Sequence, residues 1–509
     1  MKNIYEEVSF LDKRAISKYS LSEEILMENA AAKMECVIDK YTSSNSMIII
    51  VAGSGNNGAD GLALARRLHK KCNIKVYMPL DSKTELNKIQ KERFNAVGGK
   101  FIDKLFLCDI VIDCLFGSGF RGELSPQIGS LITQMNEIAR LKIACDMPSG
   151  ILINGCISTK IKSNETTFKS LSNGNDRTLF DSQNESQDGS KNKSKSRIYS
   201  NKNTEFYVFK ADITISMGGL KLAYFSDYAK DFIGEIIEAN LGISKEIYEE
   251  DSKFKLLEIS DLRLPIRKSK NTHKGDFGHS CVIAGDKEGA AILSAMASFA
   301  FGSGLVSIIG EVKNIPPHIM NTNSLPKNCN AIAFGMGLGE WVNKYDFDFL
   351  GTIPSVIDAD MFYYPKLKEV LEKGNLILTP HLKEFGSLLT MLSFGNFSIS
   401  EIQENKAKLA LQFSSKYPQI PLILKGANTF IAHNNRLYLN NLGKNNLSKG
   451  GSGDVLSGLI VSLLSQGYSL LDASINASLA HSFASRKIDS TYGLEPIDLI
   501  REIKRLEAK

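Results

Sequence analysis

The stretch Met47–Leu68, "MIIIVAGSGNNGADGLALARRL", determines how the first half of the chain is expected to fold. An apolar run rich in β-branched residues is followed at once by the glycine-rich segment Gly53–Gly58 and then by good helix formers. A G-x-G-x-x-G segment between a strand and a helix is typical of dinucleotide-binding domains, because its glycines let the backbone approach a pyrophosphate. The stretch therefore predicts a parallel α/β domain and, as a first hypothesis, an NAD-dependent oxidoreductase.

Composition limits the class of protein. A chain of 509 residues and 56.1 kDa is expected to form roughly two to three domains. The net charge of +5, from 61 basic and 56 acidic residues, does not indicate a nucleic-acid-binding protein. No apolar run approaches the ~18 residues of a membrane span, and the first residues lack the apolar core of a secretory signal. The eight cysteines include no C-x-x-C motif. This favours a reducing compartment, so we expect a cytoplasmic protein.

The order of apolar runs indicates two α/β domains. Short strand-like segments alternate with amphipathic ones between Met47 and Gly150, and a second series begins after about residue 264. We predict domains at 1–247 and 248–509, and a first helix from Ser20 to about Lys40 capped by Ser20 and Glu23. Residues 160–205 are rich in Ser, Asn and Lys and are predicted to be a disordered insert. The following stretch, 206–219, is expected to form two strands of the first sheet.

The oxidoreductase hypothesis fits the first half imperfectly. A dehydrogenase needs an acidic residue about 20 positions after its glycine loop. Here the second strand, "IKVYMPLD", has Met78 and Pro79 at that place, with Asp81 slightly beyond. A second glycine loop, Gly117–Gly122, follows another strand, and a third strand ends at Asp146. Because the carboxyl ends of parallel strands line one crevice, these segments predict a ligand site.

Polar side chains are expected to converge in this crevice. The candidates from the strand ends and the glycine loop are Asn57, Asp60, Asp113, Asp146 and Ser149. Their oxygens suit a monovalent or divalent cation, or an acid/base pair of carboxylates, and the residues alone leave these possibilities open. A single strand-end aspartate often only caps a loop, whereas three such strand ends favour a functional site.

Three of these segments resemble a known family. "GSGNNGADGLALARRL", "DCLFGSGFRG" and "ACDMPSG" are similar to the signatures of NAD(P)H-hydrate epimerases, the YjeF N-terminal domain family. The resemblance implies a Rossmann-like, three-layer α/β/α domain with Asp146 as the catalytic residue at the nicotinamide ring. It implies that the substrate contacts Asn56, Asn57, Gly58, Ala59, Asp60, Gly117, Ser118, Gly119, Phe120, Arg121, Gly122, Glu123 and Asp146. It also implies a potassium ion held by Asn57, Asp113 and Ser149.

The strongest motif of the second half is "KGGSGDVLSGLI", Lys449–Ile460. Glycines before a helix free backbone N–H groups to stabilise the charge of a phosphoryl group in transfer. Asp454, at the start of that helix, is placed to take a proton from an attacking hydroxyl. No Walker motif G-x-x-x-x-G-K-[ST] occurs, which excludes a P-loop kinase.

This half resembles the ribokinase-like superfamily and, within it, the ADP- or ATP-dependent NAD(P)H-hydrate dehydratases. The similar stretches include "HKGDFGHSCVIAGD", "GMGLG", "VIDADMF", "LTPHLKEF" and "LKGANTFIA". The resemblance implies a ribokinase-like α/β/α domain. It implies that the adenine nucleotide is bound by Lys425, Gly426, Ala427, Asn428, Thr429 and Gly453. The hydrate would be faced by Ala290, Gly337, His381 and Asp454.

Together the two resemblances predict a bifunctional enzyme that repairs hydrated NADH and NADPH. The first half would interconvert the R and S epimers through Asp146. The second would phosphorylate the S epimer, with Asp454 as base, and eliminate phosphate. The nicotinamide nucleotide would then be a substrate and not a hydride carrier. The implied cofactors are potassium in the first half and magnesium, and the implied co-substrate is ADP, with ATP as the alternative.

Two alternatives and several partner predictions accompany this interpretation. The chain could be a simple kinase of a vitamin precursor such as a hydroxyethylthiazole, or its first half could be a non-catalytic binding module. The expected partners are the small-molecule substrates, with neither nucleic acid nor membrane. A homo-oligomer is expected.

Overall fold

The computed structural model describes residues 1–158, 206–339 and 348–507. The predicted insert at 160–205 lies outside the described residues. The strands, in chain order, are β1 (Lys2–Tyr5), β2 (Met47–Ala52), β3 (Asn73–Tyr77), β4 (Phe101–Ile102), β5 (Cys108–Cys114), β6 (Ala139–Cys145), β7 (Ile213–Met217), β8 (Leu220–Lys221), β9 (Glu235–Ala239), β10 (Phe254–Leu256), β11 (His279–Ile283), β12 (Leu305–Ile309), β13 (Met320–Thr322), β14 (Ala331–Phe334), β15 (Ser355–Ile357), β16 (Leu376–Leu378), β17 (Leu422–Leu424), β18 (Thr429–His433) and β19 (Arg436–Asn440).

Helices connect most of the parallel strands. They are α1 (Ser9–Tyr19), α2 (Glu23–Ile38), α3 (Asn56–Leu68), α4 (Glu85–Ala96), α5 (Pro126–Glu137), α6 (Lys230–Ile233), α7 (Lys245–Tyr248), α8 (Glu288–Ala300), α9 (Leu367–Lys373), α10 (Leu382–Met391), α11 (Ile399–Glu404), α12 (Lys406–Lys416), α13 (Ser452–Ser465), α14 (Leu470–Arg486) and α15 (Pro496–Lys504). Among the described residues, no helix combines the length and apolar character needed to cross a bilayer.

The first sheet has the strand order β4-β3-β2-β5-β6-β7-β9, and all its pairs are parallel. Alternate residues of β2 pack into different apolar cores on the two faces, Ile48 and Ile50 with α2 and α3, and Ile49 and Val51 with α5. This confirms the three-layer α/β/α arrangement predicted from the sequence. The chain reverses its direction of winding between β2 and β5, and ligands bind at such a switch point.

The second sheet contains twelve strands of the described chain, in the order β13-β12-β11-β14-β15-β16-β17-β18-β19-β10-β1-β8. Its pairs are parallel from β13 to β17, after which β18 and β19 form an antiparallel hairpin. Buried residues of α8, α13, α14 and α15 share one core, and those of α9 to α12 share another. The second half is therefore also a three-layer α/β/α structure.

Strands from the first half complete this second sheet. β10 pairs with β19, β1 lies antiparallel to β10, and β8 lies parallel to β1. In this register Ile4 is opposite Phe254 on one side and Leu220 on the other. The two halves are thus joined by a continuous hydrogen-bonded sheet, to which the predicted range 1–247 contributes β1 and β8.

Two local predictions are wrong. Ser20 does not cap a helix start: it ends α1 in a left-handed conformation (φ 56°), while Ser22 caps α2 by accepting a hydrogen bond from the Ile25 N–H at 3.3 Å. The stretch 206–219 yields only β7 in the first sheet. The N–H groups of Tyr207 and Phe209 instead donate to carbonyls in the 149–158 segment, so this part of the chain pairs with a loop.

Candidate active sites

The glycine loop of the first half lies at the switch point and requires its glycines. A Cβ on Gly53 would lie 1.9 Å from the Leu115 carbonyl oxygen, and one on Gly58 would lie 1.9 Å from the Gly53 carbonyl oxygen. The buried Asn87 side chain donates to the carbonyls of Gly53 and Gly55 at 3.0 and 2.9 Å. The loop that precedes α3 is therefore fixed in place before any ligand binds.

Asp146 lies beside this loop, directly after β6. Its Oδ2 accepts a hydrogen bond from the Ser118 N–H at 2.8 Å, and the residue is only 7% exposed. A Cβ on Gly117 would lie 3.1 Å from Asp146 Oδ2 and 3.2 Å from Asn57 Cγ, so these three residues adjoin. Asp146 has a φ of +66°, a left-handed conformation that is uncommon outside glycine and tends to occur at functional sites.

A buried lysine pairs with this aspartate. Lys221 is 1% exposed, and its Nζ lies 2.7 Å from Asp146 Oδ1. Burial by itself would raise the pKa of Asp146, but the Lys221 ammonium and the Ser118 N–H outweigh it and hold that pKa below its ordinary value. Asp146 is therefore a carboxylate at neutral pH. Sequence reasoning missed Lys221, although a single lysine within the apolar run "GGLKLAYF" was a visible signal.

The pKa of Asp60 is shifted in the opposite direction to that of Asp146. Burial and the neighbouring Asp146 carboxylate raise the pKa of Asp60 well above its ordinary value. Two carboxyl groups whose environments push their pKa values apart are the usual arrangement of a general acid and a general base. The crevice is thus electrostatically suited to moving a proton.

Two of the predicted potassium ligands, Asp113 and Ser149, lie near the ends of the neighbouring strands β5 and β6, and the third, Asn57, lies in the first turn of α3. Asp113 is buried and accepts hydrogen bonds from the N–H and the hydroxyl of Ser149, both at 2.7 Å. The amide nitrogen and oxygen of the Asn57 side chain are buried and have no hydrogen-bond partner among the described residues. Buried amides are nearly always paired, so the unpaired Asn57 amide oxygen lacks a polar partner, and a hard cation fits that role. The described residues contain no group of three His, Cys, Asp or Glu side chains arranged for a metal.

The outer part of the second glycine loop faces solvent. Arg121 is exposed, donates to the Ser118 carbonyl at 2.7 Å, and forms an ion pair with Glu7 at 2.6 Å. Gly122 and Glu123 are also exposed. Their contact with substrate stays a prediction.

In the second half, a lysine, an aspartate and a serine meet near the start of α13. Lys425 Nζ lies 2.8 Å from Asp358 Oδ1, and the Ser457 hydroxyl donates to Asp358 Oδ2 at 2.9 Å. A Cβ on Gly453 would lie 3.6 Å from Lys425 Nζ, which places these two predicted nucleotide residues together. Asp358 was missed as a site residue, although it ends β15 within the quoted stretch "VIDADMF".

Asp454 has the electrostatics of a general base. Burial and, to a smaller extent, the Asp358 carboxylate raise the pKa of Asp454, Lys425 offsets part of this rise, and the resulting pKa is about 6. A carboxylate with a pKa near 6 is mostly ionised at neutral pH yet accepts a proton more readily than an exposed one.

The other residues that are predicted to face the hydrate lie in two places. Gly337 has a φ of +60°, and a Cβ there would lie 3.2 Å from the Ala290 Cβ, so these two residues adjoin. His381 caps α10: its Nδ1 accepts from the Glu384 N–H at 3.2 Å. Burial, together with the Lys425 ammonium, lowers the pKa of His381, so the imidazole is neutral and near the charged cluster.

Comparisons with known proteins agree with both resemblances. A family model described as "YjeF-related protein N-terminus" matches residues 23–168, and one described as "NAD(P)H-hydrate dehydratase" matches residues 280–505. The chain is 41% identical over 518 residues to the bifunctional NAD(P)H-hydrate repair enzyme of Helicobacter pylori, covering 99% of this chain and 100% of the relative. The chain is 28% identical to the enzyme of the same name from Dictyoglomus turgidum, and the match covers 97% of this chain and 96% of that relative.

A solved structure is similar to part of the chain. It is an ADP/ATP-dependent NAD(P)H-hydrate dehydratase from Bacillus subtilis co-crystallized with ATP and Mg²⁺. The identity is 26% and the TM-score 0.42, and the match covers 48% of this chain and 94% of that one. The near-complete coverage of the Helicobacter pylori relative at 41% identity is decisive. The chain belongs to the family of bifunctional NAD(P)H-hydrate repair enzymes.

Proposed function

We propose that the chain restores hydrated NADH and NADPH in two steps. The site at Asp146 interconverts the R and S hydrates, and the site at Asp454 converts the S hydrate and ADP to the reduced nucleotide, AMP and phosphate. The observation that carries the proposal is the presence of two separate carboxylates, Asp146 buried and Asp454 half-buried, each beside glycine-rich backbone and each with its pKa lowered by a lysine, Lys221 or Lys425.

Epimerisation requires proton transfer at one ring hydroxyl. The carbon that carries this hydroxyl is bonded to the ring nitrogen, so inversion requires a C–N or C–O bond to break and re-form from the other face. Asp146, ionised because of Lys221, accepts the hydroxyl proton as the C–N bond breaks and the hydroxyl-bearing carbon becomes a carbonyl. Asp60, whose raised pKa favours its protonated form, donates a proton to the departing ring nitrogen. After the carbonyl rotates, both proton transfers reverse as the C–N bond re-forms on the other face.

We assign Asn57, Asp113 and Ser149 as the potassium ligands, because the Asn57 amide is otherwise buried without a partner among the described residues. A bound potassium ion would supply positive charge near the substrate's phosphates. The ligand side chains also hold the loops together, since Ser149 Oγ accepts from the Phe116 N–H at 3.1 Å.

Dehydration uses phosphate as the leaving group because hydroxide leaves poorly. The oxygen of the ring hydroxyl attacks the terminal phosphoryl group of ADP while Asp454 takes the hydroxyl proton, and AMP departs. The ring C–O bond then breaks, phosphate leaves, and loss of a ring proton restores the double bond. Backbone N–H groups around Gly453 and the Lys425 ammonium stabilise the phosphoryl charge. Magnesium bound with the nucleotide would neutralise further phosphate charge.

The alternatives explain less. A vitamin-precursor kinase would use the second half alone and leave the Asp146–Lys221 pair without a role. A non-catalytic first half would not require two carboxyl groups with opposite pKa shifts. ADP as the preferred nucleotide, a homo-oligomeric state and a cytoplasmic location stay predictions.

The test is an assay of purified protein on a mixed R/S hydrate of NADH with ADP, magnesium and potassium. Return of the dihydronicotinamide absorbance of both epimers would support both activities. Asp146→Asn is expected to restrict fast recovery to the S fraction, and Asp454→Asn to abolish it. No recovery with either ADP or ATP would contradict the proposal and direct a screen of alcohols for phosphorylation.

A further inference from the structure

The predicted nucleotide loop, 425–429, is held by residues of the first half. Asp227 is 7% exposed, and its Oδ1 accepts a hydrogen bond from the Asn428 N–H at 2.9 Å. The Asn428 side chain donates back to the Phe225 carbonyl at 2.9 Å. The main chain and the side chain of Asn428 are therefore both engaged by the segment that follows β8.

A buried ion pair strengthens this contact. Lys406 of α12 places its Nζ 2.9 Å from Asp227 Oδ2, and the same ammonium donates to the Asn428 carbonyl at 2.6 Å. Both side chains are 4% exposed. A Cβ on Gly426 would lie 2.3 Å from Lys406 Nζ, so the loop backbone lies directly against the pair. Charge-assisted bonds of this kind, shielded from water, fix backbone position strongly.

A second cation from the first half contacts the neighbouring residue. Lys230, in α6, donates to the Ala427 carbonyl and also to the Gly443 carbonyl at 3.3 Å. Through Asp227 and Lys230, the first half thus reaches two consecutive residues of the loop, Ala427 and Asn428.

We propose that Asp227 and Lys230 are positioning residues for the adenine nucleotide, supplied by the epimerase half to the dehydratase half. The inference rests on the proposed nucleotide site at 425–429. A loop that is ordered before binding spares the ligand the entropic cost of ordering it, so these contacts raise nucleotide affinity without touching the reacting atoms.

The same segment also reaches the other site. Lys221 pairs with Asp146, and the Tyr224 hydroxyl donates to the Asp146 carbonyl. Residues 221–230 therefore contact both sites, and a variant must be chosen that separates them.

Lys230→Met removes the cation while leaving the Asp227–Lys406 pair intact. Asp231→Asn, an exposed acidic residue on the same short helix, is the matched control. We expect the Kd for ADP–magnesium, measured by titration calorimetry on the full chain, to rise roughly tenfold in Lys230→Met and to stay unchanged in the control. In Lys230→Met the KM for ADP should rise in parallel, while kcat and the epimerase rate stay at their wild-type values. Lys230→Arg restores the cation and should recover most of the affinity for ADP.

Asp227→Asn alone leaves the Lys406 charge buried and unpaired, which can prevent folding. Asp227→Asn combined with Lys406→Met removes both charges and is expected to fold and to weaken ADP binding. A Kd within twofold of the wild type in both Lys230→Met and this double variant would overturn the inference. So would an equal loss of epimerase rate in Lys230→Met, which would indicate a merely structural role. Failure of the wild-type protein to bind ADP or ATP would instead contradict the proposed function.

Discussion

Lys221 Nζ lies 2.7 Å from Asp146 Oδ1, with the lysine fully buried and the aspartate nearly so. The pair joins the end of β6 to β8, a strand of the other sheet. Because the ammonium keeps the carboxylate ionised in a site where burial favours its protonated form, Lys221 determines the pH range in which Asp146 can accept a proton.

Lys221→Met is expected to move the acidic limb of the epimerase pH profile upward. The Asp146 carboxylate of the wild type has a lowered pKa and stays ionised in mildly acidic solution, so the epimerase rate should not fall there. Without the ammonium, burial raises that pKa, and activity should fall as the pH drops towards 5. The measurement is kcat/KM for R/S interconversion between pH 5 and pH 8. The control is Lys142→Met, which removes a half-buried lysine of β6 that pairs with Asp212 and not with Asp146. An unshifted limb would contradict the role given to Lys221.

Asp146→Asn is expected to reduce the epimerase rate by about 10²–10⁴, the usual contribution of a general acid or base. Nuclear magnetic resonance of the R and S hydrates can follow this rate directly. Asp81→Asn is the control, since Asp81 is exposed and lies slightly beyond the place where a dehydrogenase would hold the ribose. If Asp81→Asn reduced the rate as strongly, the assignment of the site would be wrong.

Asn57→Ala is expected to remove a potassium-specific response. Wild-type protein should melt at a higher temperature in potassium chloride than in sodium chloride of equal ionic strength, because the Asn57 amide and its neighbours bind the ion only in the folded state. The variant should melt equally in the two salts. Asn87 holds the same loop without being a predicted ligand, so Asn87→Ala should keep a difference between the salts even if it melts lower.

The dehydratase rate is expected to fall as the pH drops through about 6, where the Asp454 carboxylate becomes protonated. Above that pH the base form predominates and kcat/KM should level off. Asp358→Asn removes one cause of the raised pKa of Asp454 and leaves the lowering effect of Lys425. The acidic limb of the dehydratase pH profile should therefore move to lower pH. A limb that stayed in place in Asp358→Asn, or moved upward, would contradict this account.

Much of the architecture could be predicted because it depends on local pattern. The run Met47–Ala52 is apolar along its whole length, as expected of a strand covered on both faces, and the glycines after it indicated the crevice. Asn57, Gly117 and Asp146 were named from strand ends, and parallel topology brings them together. In the second half, Lys425 and Gly453 were paired by resemblance and lie close together.

The missed residues depend on contacts between distant parts of the chain. Lys221 matters only because β8 brings it to Asp146, and Asp227 only because its segment reaches Asn428. Neither pairing has a sequence period or a motif. The capping error at Ser20 is local: two serines lie near the helix start, and Ser22, not Ser20, has the cap geometry.

The position of β1 has a consequence for biosynthesis. The ribosome translates Lys2–Tyr5 roughly two hundred residues before its sheet partners, β8 and β10. During that interval the strand has exposed backbone groups, which makes the nascent chain a client for chaperones. Producing residues 1–247 and 248–509 as separate chains would leave each with an unpaired strand edge, at β1 in one and at β10 in the other, which favours aggregation of both.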